Sequence, residues 1–205
     1  MTDQPALDQA KMEAFVHKVL GDTSAALTTT LAALGDRLGL FKDLAANGPA
    51  TSVELATRTG INERYAREWL GGMASAGYLA YDPTSQRFTL PAEHALPLAQ
   101  EGGPVFFGGV YQIMTALGGI LDRLTDAFRA GGGVPQSAYD ENMWDGIERF
   151  SNGWFENLLI PQWIPAMPEV QAKLERGAQV ADVGCGRGRA LIKLAGVSPG
   201  ALHRL

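Results

Sequence analysis

The chain has 205 residues, 46% apolar and 19% charged, with a formal net charge of −5, a composition that suits a globular protein long enough to bury a core without staples. A single cysteine excludes a disulfide framework and suits a reducing, cytoplasmic setting. No apolar run reaches the ~18–20 residues of a membrane span, and the acidic start Met1-Thr2-Asp3 lacks the basic region of a signal peptide.

The first half reads as helices and a hairpin. Leu7, Met12, Phe15, Val16, Val19 and Leu20 recur at helical spacing over 7–20. A second helix is predicted over 23–38, with Leu27, Leu31, Leu34 and Leu38 on one stripe and Gly39 as terminator. Both helices are apolar and Ala-rich, which points to packing against another surface, a second subunit included. Thr51 with Glu54 three residues on has the spacing of a capping box, and Gly60 ends the short helix it opens. Asn62 caps a longer helix, Glu63 to Ala76, with Tyr65, Trp69, Leu70 and Met73 on its buried side. Two β-rich runs flank Asp82-Pro83-Thr84-Ser85, which predicts strand, turn and strand. Helix, turn, helix and two-stranded wing make a winged helix-turn-helix.

Pro91, Pro97 and Pro104 mark 91–103 as connector. A long helix is predicted over Val105 to Arg129, weakened at Gly108-Gly109 and Gly118-Gly119. Gly131-Gly132-Gly133 is a joint. The aromatic-rich segment Tyr139 to Met167 is predicted as two helices broken near Ser151-Asn152-Gly153 and Pro161, and Glu169 to Glu175 as a last short helix.

Glycine is the unusual count, 25 of 205, roughly twice ordinary usage. The cluster at 184–188 carries the chemistry. Ala178 to Val183 reads as an apolar strand with Asp182 near its end, Gly184-Cys185-Gly186-Arg187-Gly188 follows, and a helix starts at Arg189. Strand, glycine loop and helix form the first unit of a nucleotide-binding α/β fold: glycines permit the tight turn and let a ligand approach bare backbone, while helix-start amides point at it. A dinucleotide fingerprint would space its glycines G-x-G-x-x-G, and a phosphate loop would end in Gly-Lys-Ser/Thr. Neither fits glycines at 184, 186 and 188 with an acid at 182.

VADVGCGRG resembles the first motif of class I S-adenosylmethionine-dependent methyltransferases. The resemblance implies that Gly184, Gly186 and Gly188 line the methionine end of that cofactor, while Asp182 holds its amino group. Upstream, GDRLGLF, ERYAREWL and YDPTSQRFTLP with the helical connector look like methyltransferases that carry an N-terminal winged helix. Plant-type O-methyltransferases share this plan, and a group of actinobacterial small-molecule methyltransferases is more similar. In that family the winged helix dimerises and connector helices help to cap the site. Tyr111 and Met114 fall where substrate-facing residues lie in the family. The resemblance covers about 190 residues, up to Ala195.

The fold class expected is therefore mainly α: a winged helix-turn-helix plus helical connector, followed by the first β-loop-α unit of a Rossmann-like α/β methyltransferase domain. The divisions expected are 1–98 for dimerisation, 99–176 for connector and lid, and 177–205 for the start of the methyltransferase domain. The family's activity is methyl transfer to a small molecule. The acid that grips the ribose, ~20 residues beyond the loop, would fall past Leu205, and the tail 196–205 has neither strand pattern nor acid. The expectation is a catalytic domain cut short, as by a frameshift or an early stop.

Two other readings compete. A winged helix suggests a DNA-binding regulator, but Arg58, Arg64, Arg67 and Arg87 are balanced by Glu54, Glu63, Glu68 and Asp82 where phosphate contact wants a basic face; nucleic acid is not an expected partner. A homodimerisation module, built on the N-terminal helices and without catalysis, is the other. Cys185, flanked by loop glycines and with no histidine nearby, reads as an inert small residue. His17, His94 and His203 form no metal or acid–base constellation, so no metal site and no catalytic base are assigned.

Overall fold

The computed structural model describes residues 7–197. The expectations for the first residues, for 198–205 and for His203 lie outside them.

The first helix, α1 (Gln9–Arg37), is one helix rather than two. Asp8 caps it by accepting from the Lys11 N–H at 3.1 Å. Gly21 costs the helix up to ~1 kcal/mol relative to Ala, yet it is not followed by proline. The hydroxyls of Thr23, Thr28, Thr29 and Thr30 donate back to carbonyls four residues earlier instead of opening the turn. Gly39, at φ +70°, separates α1 from α2 (Leu40–Asn47), a short helix that the sequence pattern did not announce.

The winged helix follows as expected. The predicted capping box of Thr51 and Glu54 opens α3 (Ser52–Thr59), and Asn62 caps α4 (Glu63–Ser75). The buried side of α4 is Ala66, Trp69, Leu70 and Met73, and Tyr65 is 74% exposed. Residues 66, 69, 70 and 73 share one face of a 3.6-residue period, and Tyr65 stands outside it. Leu40, Phe41, Leu44, Leu55, Leu70 and Met73 fill the core. The Trp69 ring meets Phe41 edge-on at 5.0 Å, and its indole N–H donates to the Leu31 carbonyl of α1 at 2.8 Å.

The wing pairs β1 (Ala80–Asp82) with β2 (Arg87–Thr89) antiparallel, Tyr81 opposite Phe88. The Asp82 carboxylate accepts from the Thr84 and Ser85 N–H groups and so builds the turn. Ala50 adds a bridge to Phe88 on the other edge.

Three expectations for the connector change. Residues 92–99 form α5 (Ala92–Ala99), which tolerates Pro97 in its last turn; the Pro97 carbonyl accepts from the Phe107 N–H at 2.8 Å. The long helix over 105–129 is two, α6 (Gly108–Gly118) and α7 (Leu121–Ala130), because Gly118-Gly119 ends the first. Conversely, Ser151-Asn152-Gly153 does not break α8 (Glu141–Trp154), which runs on into a π-helical segment, Phe155–Trp163, that takes up Pro161 in its wider turn. The joint at Gly131, Gly132 and Gly133 has positive φ throughout.

Helices α6 and α8 cross backbone against backbone: a Cβ on Gly109 would stand 2.4 Å from the Gly146 carbonyl oxygen and 2.5 Å from the Phe150 nitrogen. After α9 (Pro168–Glu175), residues 178–183 form no strand. A strand exists only through ladder partners, and none of the described residues supplies one here. Only Val180 packs inward, against Leu159, Leu174 and Leu194. The helix after the glycine loop is α10 (Arg189–Val197).

Candidate functional site

The glycine loop forms as expected. Gly184, Gly186 and Gly188 have φ of +79°, +56° and +72°, where an L side chain is strained. The Gly188 N–H donates to the Cys185 carbonyl at 2.8 Å and closes the turn; its own carbonyl accepts from Ile192 as the first bond of α10. Cys185 is a free, exposed thiol.

Opposite the loop lies one face of α8. Trp144, Glu148, Ser151 and the adjoining Phe155 follow at helical spacing and line a cavity of about 460 Å³, with Asp182, Gly184, Gly186 and Arg187 on its other wall. Three of the four residues expected at the cofactor site, Asp182, Gly184 and Gly186, thus border one space, with Asp182 exposed. Gly188 stands behind it as the hinge into α10. Trp144 and Phe155 belong to the aromatic segment that could roof a pocket but whose helical spacing reads first as core, so neither is assigned to the site from sequence. Nothing in the sequence singles out Glu148, and only the fold turns this face toward the loop.

Charge joins the two walls. The guanidinium of Arg187 pairs with Asp145, with Glu148 at 3.2 Å and with Glu141 at 3.8 Å. The Arg189 Nε donates to the same Glu148 carboxylate at 2.5 Å, and Lys193 pairs with Glu156.

Tyr111 and Met114 do not reach this cavity. Tyr111 is buried in the winged-helix core, and Met114 is half exposed on α6. Burial, before any other influence, pushes the Tyr111 phenol above its ordinary pKa. His94 lies beside Tyr111, its Nδ1 2.9 Å from the Tyr78 carbonyl. Among the described residues no group of three His, Cys, Asp or Glu side chains could hold a metal ion, and no helix is long and apolar enough to cross a membrane.

On the winged helix, all four arginines between Thr51 and Leu90 are engaged by acids: Arg58 with Asp43, Arg64 with Glu68, Arg67 with Glu63 and Arg87 with Glu54.

Residues 25–100 match the family model of the Rv2258c-like winged HTH domain. No curated protein matches the chain. Among solved structures, the chain is similar to the mitomycin 7-O-methyltransferase MmcR, at 21% identity and a TM-score of 0.66, over 95% of this chain and 58% of that one. It is also similar to PigF with SAH, at 18% identity and a TM-score of 0.61, over 90% of this chain and 56% of that one. Human N-acetylserotonin methyltransferase in complex with SAM gives 18% identity and a TM-score of 0.52, over 97% and 59%. The chain therefore carries a winged helix-turn-helix domain and a helical connector in the fold that these methyltransferases share, and it spans somewhat over half of their length.

Proposed function

We propose that the chain belongs to an S-adenosylmethionine-dependent methyltransferase of small molecules, and that Asp182, Gly184, Gly186 and Gly188 hold the cofactor's methionine end. The observation that carries this reading is the shared cavity: an exposed carboxylate and two left-handed glycines face one space on the loop side of α8. The donor set fits a zwitterion. Asp182 is placed to accept from an ammonium, and the bare amides of the loop, which open into α10, suit a carboxylate. When bound, the cofactor supplies an electrophilic methyl group on a sulfonium. The chain's part is to fix that group in place, and the α8 wall of Trp144 and Phe155 excludes water from it. On this reading 1–98 is the dimerisation unit, 99–176 the connector and lid, and 177 onward the start of the catalytic domain.

Titration of the isotope-labelled chain with S-adenosylhomocysteine, followed by amide NMR, tests the assignment. Shifts confined to 182–188 that weaken in Asp182→Asn support it; a spectrum unchanged at millimolar ligand overturns it.

We also propose a homodimer through α1. From Gln9 to Leu27 every residue of the helix is exposed, and Met12, Phe15, Val16, Val19, Leu20 and Leu27 form an apolar stripe along it. A helical stretch of roughly 28 Å that buries none of its side chains gains little from packing in the monomer, so a second copy is the expected cover. A monomer by light scattering at micromolar concentration would remove this reading. The ion-paired arginines of the winged helix support assembly there over binding of nucleic acid. The exposed, unpaired Cys185 thiol suits a cytoplasmic location.

A further inference from the structure

We infer that Glu148 is the positioning residue of the glycine loop. Its carboxylate takes one oxygen to each of two arginines, Oε2 to Arg187 Nε at 3.2 Å and Oε1 to Arg189 Nε at 2.5 Å, and these arginines flank Gly188. The side chain is only 15% exposed, whereas the two guanidinium groups are about half exposed, so the carboxylate is the fixed point and the loop comes to it. No regular ladder holds this stretch: residues 178–183 form no strand, and Val183 is 99% exposed. Between Val180 and Ala190, the next residue packed on the apolar cluster, nothing apolar anchors the backbone. Ion pairs to α8 are what remain. Arg187 has Asp145 and Glu141 as further partners, but Glu141 is 83% exposed and 3.8 Å away, and neither acid touches Arg189. Glu148 alone pairs on both sides of the hinge.

Glu148 also lies on the α8 face that lines the cavity, between Trp144 and Ser151. One carboxylate therefore sets the distance between the two walls and the height at which Gly184 and Gly186 present their amides. Its meaning for catalysis rests on the reading of the loop as a cofactor cradle. Its test needs no cofactor, so the two can fail separately.

Hydrogen–deuterium exchange of the full chain gives that test. Glu148→Gln should speed exchange of amides 184–190 about tenfold, while α3 and α4 exchange as before. In the unaltered chain, exchange of the same amides should rise from about 0.05 M to about 0.5 M salt, and the variant should lose that salt dependence, which a merely packed side chain would not confer. Arg187→Gln combined with Arg189→Gln should reproduce the effect without touching α8, and it decides the matter if Glu148→Gln unfolds. Glu148→Asp should restore part of the protection. Unchanged loop exchange in the double arginine variant, or a salt response equal in all forms, would overturn the inference.

Discussion

Arg149 of α8 grips Asp36 of α1 with both terminal nitrogens, at 2.9 and 3.0 Å, although the two residues are 113 positions apart in the chain. The same guanidinium donates to Glu101 twice at 2.9 Å and to Gln112 at 3.0 Å, and it lies 5.3 Å from the Phe106 ring centre. The Asp36 side chain is 7% exposed, so this pair ties the winged helix to the connector where water barely reaches. Arg149→Ala should strand the Asp36 carboxylate and lower stability by about 2–3 kcal/mol. Arg149→Lys should recover less than half of that, because an ammonium cannot serve three acceptor groups as a planar fork does. Chemical denaturation of the three proteins checks both values.

Acid should loosen the same joint. Hydrogen bonds from Arg149, ahead of those from Lys42, hold the Glu101 carboxyl at a pKa of about 2, against partial burial that pulls the other way. A depressed carboxylate pKa gives stability that is fully present above the ordinary value near 4.5 and is lost as pH falls toward about 2. Glu101→Gln should therefore be less stable than the parent at pH 7, with the gap narrowing below about pH 4.5 and closing only as the pH reaches about 2. Melting temperatures of both proteins across that range provide the comparison. A constant gap between them would count against the assignment.

The crossing of α6 and α8 leaves no room for a methyl group. A Cβ on Gly146 would stand 2.8 Å from the Gly109 carbonyl oxygen and 3.0 Å from the Ile113 nitrogen. Gly146→Ala should cost about 1–3 kcal/mol by overpacking, despite the better helix propensity of alanine. Calorimetric melting of the variant tests the sign; a stabilised protein would mean that the helices can separate freely.

Local signals carried well in this sequence, and distant ones poorly. Thr51 with Glu54, Asn62, Gly39 and the Asp82 turn act within four residues, and each appears in the structure as expected. Gly21 falls between two predicted helices, and Gly118-Gly119 falls inside one. Only the second interrupts a helix, since the first is a single glycine whose cost of up to ~1 kcal/mol the alanine-rich turns around it offset. At the site, the φ values of Gly184, Gly186 and Gly188 follow from residue type. That Glu148 and Trp144 face them depends on how α8 packs across more than thirty intervening residues, which no local pattern encodes.

The loop's own chemistry gives a sharp substitution. Gly186 sits at φ +56° with open space around its Cβ direction, so alanine there meets backbone strain rather than a collision. The left-handed conformation costs an L residue roughly 1–2 kcal/mol, and the loop's few contacts cannot hold it against that. Gly186→Ala should leave the melting of the winged helix unchanged while it removes the S-adenosylhomocysteine shifts at 184–188. If the shifts persist, the bare amide at 186 is not what the ligand uses.

The apolar stripe on α1 makes the dimer separable from the fold. Phe15 and Leu20 are 64% and 60% exposed and belong to no core cluster. Replacing both with Glu should therefore spare the winged-helix core, whose members start at Ala32. It would place two charges on a surface that needs to be dry, and each desolvated carboxylate without a partner opposes association strongly. The expected result is a monomer by analytical ultracentrifugation, with lower helix content because the outer half of α1 no longer has a partner to stabilise it. The loss in the circular dichroism signal and the loss of the dimer should occur together. A variant that stays helical through α1 as a monomer would show that the helix stands without a second copy, and the proposed interface would then have no physical basis.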